Sequence, residues 1–135
     1  MTLHMFDTNV LTEIVGNPEG ETAKRFADLK PEEVCISVIV SSEVSFGLAK
    51  NTATKAGKQI RALLSALPVR PFEPPADRIY GDVRAELARR GRSMSPNDYF
   101  IVAHAIFLDA VLVTDDRAIH AAGVPGLKVE NWLRA

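Results

Sequence analysis

The stretch LHMFDTNVL, residues 3–11, couples the end of a strand to the start of a helix. It opens with a short apolar run, Leu3–Phe6, which stops abruptly at Asp7. Apolar residues then return at the three- and four-residue spacing of a helix, at Val10, Leu11 and Ile14. An ordinary helix N-cap would explain Asp7. The alternative is that Asp7 is a ligand of a metal site, and this requires other carboxylates to converge on it.

The composition favours one packed domain. The chain has 135 residues, of which 47% are hydrophobic and 24% charged, so we expect a single domain over 1–135 with a sizeable core. The single cysteine, Cys35, lies in an apolar run, which excludes a disulfide framework and favours a buried thiol in a reducing cytoplasm. No apolar run reaches the roughly 18 residues of a membrane span, and Asp7 and Asn9 interrupt any signal-peptide pattern. Since the net charge is −1, nucleic-acid binding would depend on local basic patches.

Strand and helix patterns alternate along the chain. The predicted strands are residues 3–6, 33–38, 68–72, 110–114 and 126–132. The predicted helices are residues 8–15, 19–29, 41–50, 54–67, 76–90 and 96–108, with a short one near 117–121. This alternation predicts a three-layer α/β/α sandwich with a central, mostly parallel sheet.

Acidic residues follow the predicted strands or begin the predicted helices. Asp7 and the pair Asp115 and Asp116 come directly after strands, Asp98 falls in the first turn of a helix, and Glu43 is early in another. In a parallel sheet these positions share one edge, where ligands bind if the strand order reverses. Each acid alone has a local explanation as a cap or turn residue, but their convergence at one edge favours a common site.

Electrostatics constrains what such a site can do. Two carboxylates about 4 Å apart repel each other by roughly 4 kcal/mol at an effective dielectric constant near 20. A cluster of four must therefore take up protons or bind a cation. A set of oxygen ligands favours Mg²⁺ or Mn²⁺ over structural zinc, and these ions suit phosphodiester chemistry.

Five segments, in this order, resemble the motifs of PIN-domain proteins, and most of all those of the VapC toxins of bacterial toxin–antitoxin pairs. The segments are FDTNVL (6–11), SSEVSFGLA (41–49), SPNDYFIVAHA (95–105), LVTDD (112–116) and GLKVENW (126–132). The resemblance implies a Mg²⁺- or Mn²⁺-dependent endoribonuclease toxin, which hydrolyses RNA phosphodiester bonds with a metal-activated water. It also implies a homodimer and a cognate small antitoxin, VapB-like, that blocks the acidic site. It leaves open whether the RNA is of the tRNA or rRNA class.

The resemblance also implies residue roles. The catalytic and metal-binding residues that it implies are Asp7, Glu43, Asp98 and Asp116. The polar residues that it places around them are Thr8, Asn9, Thr114 and Asp115. It does not decide whether Asp115 or Asp116 is the fourth acid, or whether one or two ions bind. The segment SMSPND lacks the glycine–isoleucine that often precedes this motif, which leaves the conformation of that loop open.

Basic residues form two candidate RNA-binding groups. Between Val44 and Phe72 there is no acid, and we predict an RNA-binding basic strip formed by Lys50, Lys55, Lys58 and Arg61, with a merely solvated helix face as the alternative. A second candidate group comprises Arg84, Arg89, Arg90 and Arg92. Of the histidines, His104 is the one placed to line the site, although a buried core histidine is the better expectation. We expect Trp132 to be a core anchor rather than a base-stacking platform.

An acidic pocket would attract an arginine or lysine of the antitoxin, since arginine pairs bidentately with carboxylates. We expect the apolar anchors for this partner near Phe46 and Leu48 and on the helices after Gly16.

Two other classes of protein begin in a similar way. Phosphotransfer enzymes of the haloacid dehalogenase type carry a second Asp two residues after the first, but this chain has Asn9 there. Receiver-like signalling domains, which bind Mg²⁺ without being enzymes, carry an early acid pair and a lysine after a late strand. Here the acid pair is late, and no lysine follows it before Lys128.

Overall fold

A computed structural model describes residues 1–50 and 54–134. The strands are β1 (His4–Phe6), β2 (Val34–Ser37), β3 (Val69–Arg70), β4 (Val111–Val113) and β5 (Lys128–Glu130). The helices are α1 (Thr8–Gly16), α2 (Glu21–Ala27), α3 (Val38–Lys50), α4 (Lys55–Ala66), α5 (Ala76–Arg89), α6 (Pro96–Leu108) and α7 (Arg117–Ala122). One turn of 3₁₀ helix, Pro31–Glu33, precedes β2.

The five strands form one parallel sheet in the order β3-β2-β1-β4-β5. The first strand is therefore central, with Met5 paired to Cys35 on one side and to Leu112 on the other. The chain builds β2 and β3 outward on one side of β1 and then crosses over to build β4 and β5 on the other. The strand order reverses between β1 and β4, so a ligand site is expected where these two strands end.

The core lies between the sheet and its flanking helices, as expected for an α/β/α sandwich. Met5 and Phe6 of β1 are fully buried, as is Leu112 of β4, because helices cover both faces of the sheet. Helix α1 packs against α2 and α4, and α5 packs against α6. Trp132 is a core anchor as expected, with its ring 5.3 Å from that of Phe6.

The buried cysteine was also predicted correctly. Cys35 is buried in β2, and this burial raises the pKa of its thiol to about 11, so it stays protonated at neutral pH. Among the helices of the described residues, none has the length and apolar character needed to cross a bilayer.

Several predicted boundaries were wrong, and each has a physical cause. Helix α3 begins at Val38, three residues before the prediction, since the Ser37 hydroxyl accepts a hydrogen bond from the Ile39 amide and starts the helix there. Strand β3 is reduced to two residues because Pro68 and Pro71 flank it and neither can donate a backbone hydrogen bond. Helix α2 and strand β5 are likewise shorter than predicted.

Candidate active site

Asp7 is held in one orientation at the end of β1. Its amide donates to the Val113 carbonyl over 3.0 Å and so continues the pairing of β1 with β4. Its Oδ1 accepts from the Thr8 amide at 2.8 Å, which makes it the N-cap of α1, and its Oδ2 accepts from Thr114 Oγ1 at 2.7 Å. The cap explanation of Asp7 is therefore correct, and it is compatible with a ligand role because each carboxylate oxygen has a second lone pair.

Thr114 and Asn9 join the two central strands. The Thr114 hydroxyl is fully buried, donates to Asp7 and accepts from the Asp116 amide at 3.0 Å. The Asn9 side chain donates to Thr114 Oγ1 at 3.3 Å and accepts from the Asp115 amide at 3.1 Å. The two predicted polar residues thus fix the backbone that follows β4 relative to α1.

Glu43 reaches the same edge from α3. Burial raises the pKa of its carboxyl, the Asn97 side chain opposes that rise, and the charges of Asp7 and Asp98 add to it. The hydroxyl of Thr8 also favours the charged form of Glu43, but it lies outside hydrogen-bonding geometry and has no other partner among the described residues. Asn97 was not predicted from the sequence, although its position next to Asp98 in the first turn of α6 was a usable signal.

Asp98 and Asp116 complete the group from two helix N-termini. Ser95 caps α6, accepting from the Asp98 amide at 3.2 Å, and this places Asp98 in the first turn as predicted. Asp116 caps α7, with its Oδ1 accepting from the Ala118 amide at 2.9 Å and from the Ile119 amide at 3.2 Å. Burial raises the pKa of Asp98, and the charge of Asp116 raises it further.

We refer to Asp7, Glu43, Asp98 and Asp116 as the acid cluster. Burial raises the pKa of Asp7 as well, and Asp116 adds to that rise, so every member of the cluster is coupled to at least one other. In the described parts of the chain, no three carboxylate, imidazole or thiolate groups lie close enough to enclose an ion. The acids therefore share one edge and repel one another, without being drawn into a single coordination sphere.

The residues nevertheless fit a hard divalent cation. The donors are carboxylate and hydroxyl oxygens, which Mg²⁺ prefers, and the Thr8 hydroxyl is buried without a hydrogen-bond partner among residues 1–50 and 54–134. Burial and the charges of neighbouring acids raise the pKa of three members, and a bound cation would offset both effects.

Asp115 lies apart from this electrostatic network. Its carboxylate pairs with Arg134, Nε to Oδ1 at 2.6 Å, and accepts from Asn131 Nδ2 at 2.8 Å. These two partners, Arg134 first, hold the pKa of Asp115 below its usual range. Of the two adjacent acids, Asp116 is thus the one coupled to the cluster, and neither Asn131 nor Arg134 was foreseen from the sequence.

His104 does not line the site. It is fully buried, its Nδ1 is 2.7 Å from Ser37 Oγ, and its Nε2 has no hydrogen-bond partner among the described residues. The core expectation for this residue is therefore correct. His4 and His120 contact the backbone carbonyls of Glu33 and Thr114.

A groove leads away from the acid cluster between α3 and α4. It has a volume of about 280 Å³, with Thr8 and Glu43 at one end and an apolar wall that includes Val44, Leu48 and Ile60. A second cavity, of about 540 Å³, is also lined by Glu43 and includes Phe46, a residue that is 66% exposed. Apolar surface near Phe46 and Leu48 is thus present where the sequence placed the partner's anchors.

The predicted basic residues differ in their availability. Lys55, Lys58 and Arg61 are exposed on α4 and form no ion pair with another described residue. Lys50, at the end of α3, lies with Nζ 5.2 Å from the centre of the Phe46 ring.

The second arginine group is largely engaged within the protein. Arg89 and Arg90 pair with Glu86, Arg92 donates to the Ala121 carbonyl, and Arg84 donates to the Tyr80 hydroxyl. Of the two candidate groups, the first is therefore the one whose charges are available to a ligand.

Comparison with known proteins places this geometry in a family. The PIN domain model matches residues 5–125. A tRNA(fMet)-specific endonuclease VapC of Salmonella typhimurium is 31% identical over 133 residues, covering 98% of this chain and 99% of that protein.

Solved structures agree with this comparison. The crystal structure of VapBC2 from Rickettsia felis bound to a promoter DNA fragment superposes with a TM-score of 0.86 at 28% identity, over 97% of this chain and 99% of that one. DNA-bound VapBC from Salmonella typhimurium gives a TM-score of 0.80 at 31% identity, over 98% and 99% of the two chains.

Proposed function

From the premise that this chain belongs to the PIN-domain family, in its VapC-like branch, we propose that it is a metal-dependent endoribonuclease acting as the toxin of a toxin–antitoxin pair. The observation that carries the proposal is the acid cluster, which lies where the strand order reverses and whose members repel one another. The relatives named above are an RNA endonuclease and VapBC complexes. Neither the family match nor the relatives named above support the phosphotransfer or receiver-like alternative.

We assign the roles within the cluster as follows. Asp7, Glu43, Asp98 and Asp116 would hold Mg²⁺, for which Mn²⁺ could substitute. A bound cation would supply positive charge to the phosphoryl oxygens and lower the pKa of an attacking water. Asp7 is the residue whose orientation is best defined, because its carboxylate is held between Thr8 and Thr114. The Asn97 side chain favours the charged, cation-binding form of Glu43 and so opposes burial, which raises its pKa.

Substrate and partner binding follow from the surroundings of the cluster. The exposed cations of α4, together with Lys50, provide sequence-independent affinity for RNA phosphates. The apolar groove ending at Glu43 suits an antitoxin segment with apolar anchors, followed by an arginine or lysine that enters the cluster. We place this activity in the cytoplasm, in a homodimer whose interface is not assigned.

The test of the proposal is the Asp7→Asn variant. Asn keeps the size of the side chain but removes its charge, so we expect RNA cleavage to fall by at least about 100-fold, growth arrest to be relieved, and the circular dichroism spectrum to stay the same. Asp82→Asn makes the same chemical change at an exposed position on α5 and serves as the control. A well-folded Asp7→Asn protein with wild-type cleavage would refute the proposal.

A further inference from the structure

The last described residues of the chain fold back onto the loop that follows β4. Asn131 Nδ2 donates to Asp115 Oδ1 at 2.8 Å, and Arg134 approaches the same carboxylate from Nε at 2.6 Å and from Nη2 at 3.3 Å. Asp115 thus accepts three hydrogen bonds from one short segment. Because both lone pairs of its Oδ1 are engaged and Arg134 already neutralises its charge, Asp115 is poorly placed to serve as a cation ligand.

This C-terminal segment is anchored independently of Asp115. Trp132 is buried with its ring against Phe6, and its carbonyl accepts a hydrogen bond from Thr22 Oγ1 at 2.9 Å. The Leu133 amide donates to Asn131 Oδ1 at 2.9 Å, which fixes the Asn131 side chain. Asn131 and Arg134 therefore extend from a rigid support rather than from a loose terminus.

The contacts to Asp115 are connected to the acid cluster through the backbone. The Asp115 amide donates to Asn9, and the next amide, that of Asp116, donates to Thr114 Oγ1, which in turn donates to Asp7. The loop is thus held on one side by α1 and on the other by the C-terminal segment. A shift of Asp115 would move Asp116, its covalent neighbour in the cluster.

We infer that Asp115, Asn131 and Arg134 form a C-terminal clamp that positions Asp116 for cation binding. The inference rests on the proposed function. It assigns Asp115 as a positioning residue rather than a ligand, and it gives the end of the chain a part in the site. An ion pair as exposed as this one contributes little to global stability, since the Arg134 side chain is 56% exposed. The effect of the clamp therefore belongs to the geometry of the site and to its response to the cation.

The experiment compares Arg134→Ala, Asp115→Ala and the double variant in the full chain. Three quantities are measured: the melting temperature without metal, its rise on adding Mg²⁺, and the Mg²⁺ concentration for half-maximal RNA cleavage. We expect each single variant to raise that concentration about 10-fold, as loss of a supporting contact does at metal sites, and to reduce the Mg²⁺-induced rise in melting temperature. Both changes should occur with the metal-free melting temperature and the KM for RNA unchanged.

Further variants separate positioning from other roles. The double variant should be no worse than either single one, because both remove the same clamp. Arg134→Lys should recover part of the Mg²⁺ response, since it keeps the charge but loses the fork of donors. Asp115→Asn should keep most of the response, whereas replacing a ligand should abolish it, as we expect for Asp7→Asn. Lys128→Ala removes another exposed ion pair near the end of the chain, to Asp109, and serves as the control.

The outcomes that overturn the clamp are distinct. If Arg134→Ala responds to Mg²⁺ as the Lys128→Ala control does, or if it lowers only the metal-free melting temperature, the clamp is wrong. Loss of the Mg²⁺ response in Asp115→Asn would make Asp115 a ligand, and would overturn the clamp while the proposed function stands. A wild-type protein with neither a Mg²⁺ response nor cleavage would overturn the proposed function and the clamp with it.

Discussion

Thr114 shows how one buried hydroxyl can hold two acids at once. It has a single proton, which it donates to Asp7, and its lone pairs accept from the Asp116 amide and the Asn9 side chain. Because it is fully buried, none of these contacts competes with bulk water. The arrangement ties the ends of β1 and β4 together at the point where a cation would bind.

Asp98 has two opposing effects on stability, and its replacement by Asn should separate them. Its pKa is raised by burial and by the neighbouring acids, so its negative charge destabilises the folded protein without metal. A carboxylate in the first turn of a helix is favourable by about 0.3–1 kcal/mol, and Asn loses this term. We expect metal-free Asp98→Asn to melt at the same temperature as wild type or slightly above it.

The pH dependence of this difference has a defined sign. A carboxyl whose folded pKa is raised favours the folded state at low pH, and that advantage is lost as pH rises above 3.8 and through the folded value. The advantage of Asp98→Asn should therefore be absent below pH 3.8 and grow above it.

Mg²⁺ at about 100 times its dissociation constant should stabilise wild type by about 2.7 kcal/mol and the variant by less. The measurement is the rise in melting temperature on adding Mg²⁺, with Asp82→Asn as the control. If wild type and Asp98→Asn show equal rises, Asp98 is not part of the site.

Helix α6 connects the acid cluster to the interior of the sheet. Its first turn carries Asp98, and one face further along packs His104 against Ser37, the last residue of β2. Ser37 in turn accepts from the Ile39 amide at the start of α3, the helix that carries Glu43. Two of the four acids are thus placed by helices that meet at the Ser37–His104 contact.

This contact predicts a loss of stability in mild acid. Burial lowers the pKa of His104 below its ordinary 6.5, so the neutral form stabilises the fold above that pH and the stabilisation is lost as pH falls toward the folded value. The slope is at most about 1.4 kcal/mol per pH unit for one proton. In His104→Asn the amide nitrogen can replace Nδ1 but does not titrate.

The measurement is the free energy of unfolding in urea from pH 7.5 to 5. Wild type should lose stability relative to His104→Asn across this range, and His4→Asn, which removes a histidine that contacts a backbone carbonyl, is the control. The acid cluster is present in both wild type and His104→Asn, and its effect on the pH dependence of stability has the opposite sign to that of His104. Subtracting the His104→Asn curve from the wild-type curve removes this contribution. Parallel curves for wild type and His104→Asn would contradict the buried-histidine explanation.

Charge is distributed unevenly over the complete chain. The net charge is only −1, yet the acid cluster is next to a groove whose outer helix, α4, carries Lys55, Lys58 and Arg61 on its exposed surface. A polyanion can therefore bind α4 and approach a site that repels it, provided that a cation neutralises the acids.

Replacing these three cations with Ala should weaken RNA binding. Each phosphate contact that is lost should flatten the slope of log K against log salt by about 0.7 for single strands, or by up to about 2 for all three. Cleavage at saturating RNA should persist. A triple variant at Lys24, Lys30 and Arg78 changes the net charge equally and is the control. An unchanged slope in filter binding would identify α4 as only a solvated face.

The antitoxin prediction concerns the same groove. We expect the partner's arginine or lysine to reach the acid cluster, and its replacement by Ala should reduce inhibition and abolish competition with Mg²⁺. The readouts are RNA cleavage at increasing antitoxin and the Mg²⁺ dependence of binding. If both stay at wild-type values, the antitoxin inhibits without using its arginine or lysine, although the toxin–antitoxin pairing itself would stand.

Local patterns in the sequence were sufficient for the order of the elements, the parallel sheet and the edge at which the acids lie. These features depend on hydrophobic periodicity and capping chemistry, which short segments carry by themselves. Asp7 and Asp98 could be placed because a strand end and a helix cap each define a position relative to the sheet. The resemblance added the roles of these acids, and those roles remain predictions.

Tertiary structure decided what depends on partners distant in sequence. Asp115 and Asp116 are adjacent and chemically identical, so no local pattern could show that Asp115 pairs with Arg134 while Asp116 acts on Asp7 and Asp98. The early start of α3 could not be predicted for a similar reason. A β-branched run such as Val38–Val40 locally favours a strand. The Ser37 cap and the packing of α3 override that preference. Local propensity is worth only tenths of a kcal/mol per residue, whereas burial of the same side chains is worth about 1.5–3 kcal/mol each, and the larger energy decides.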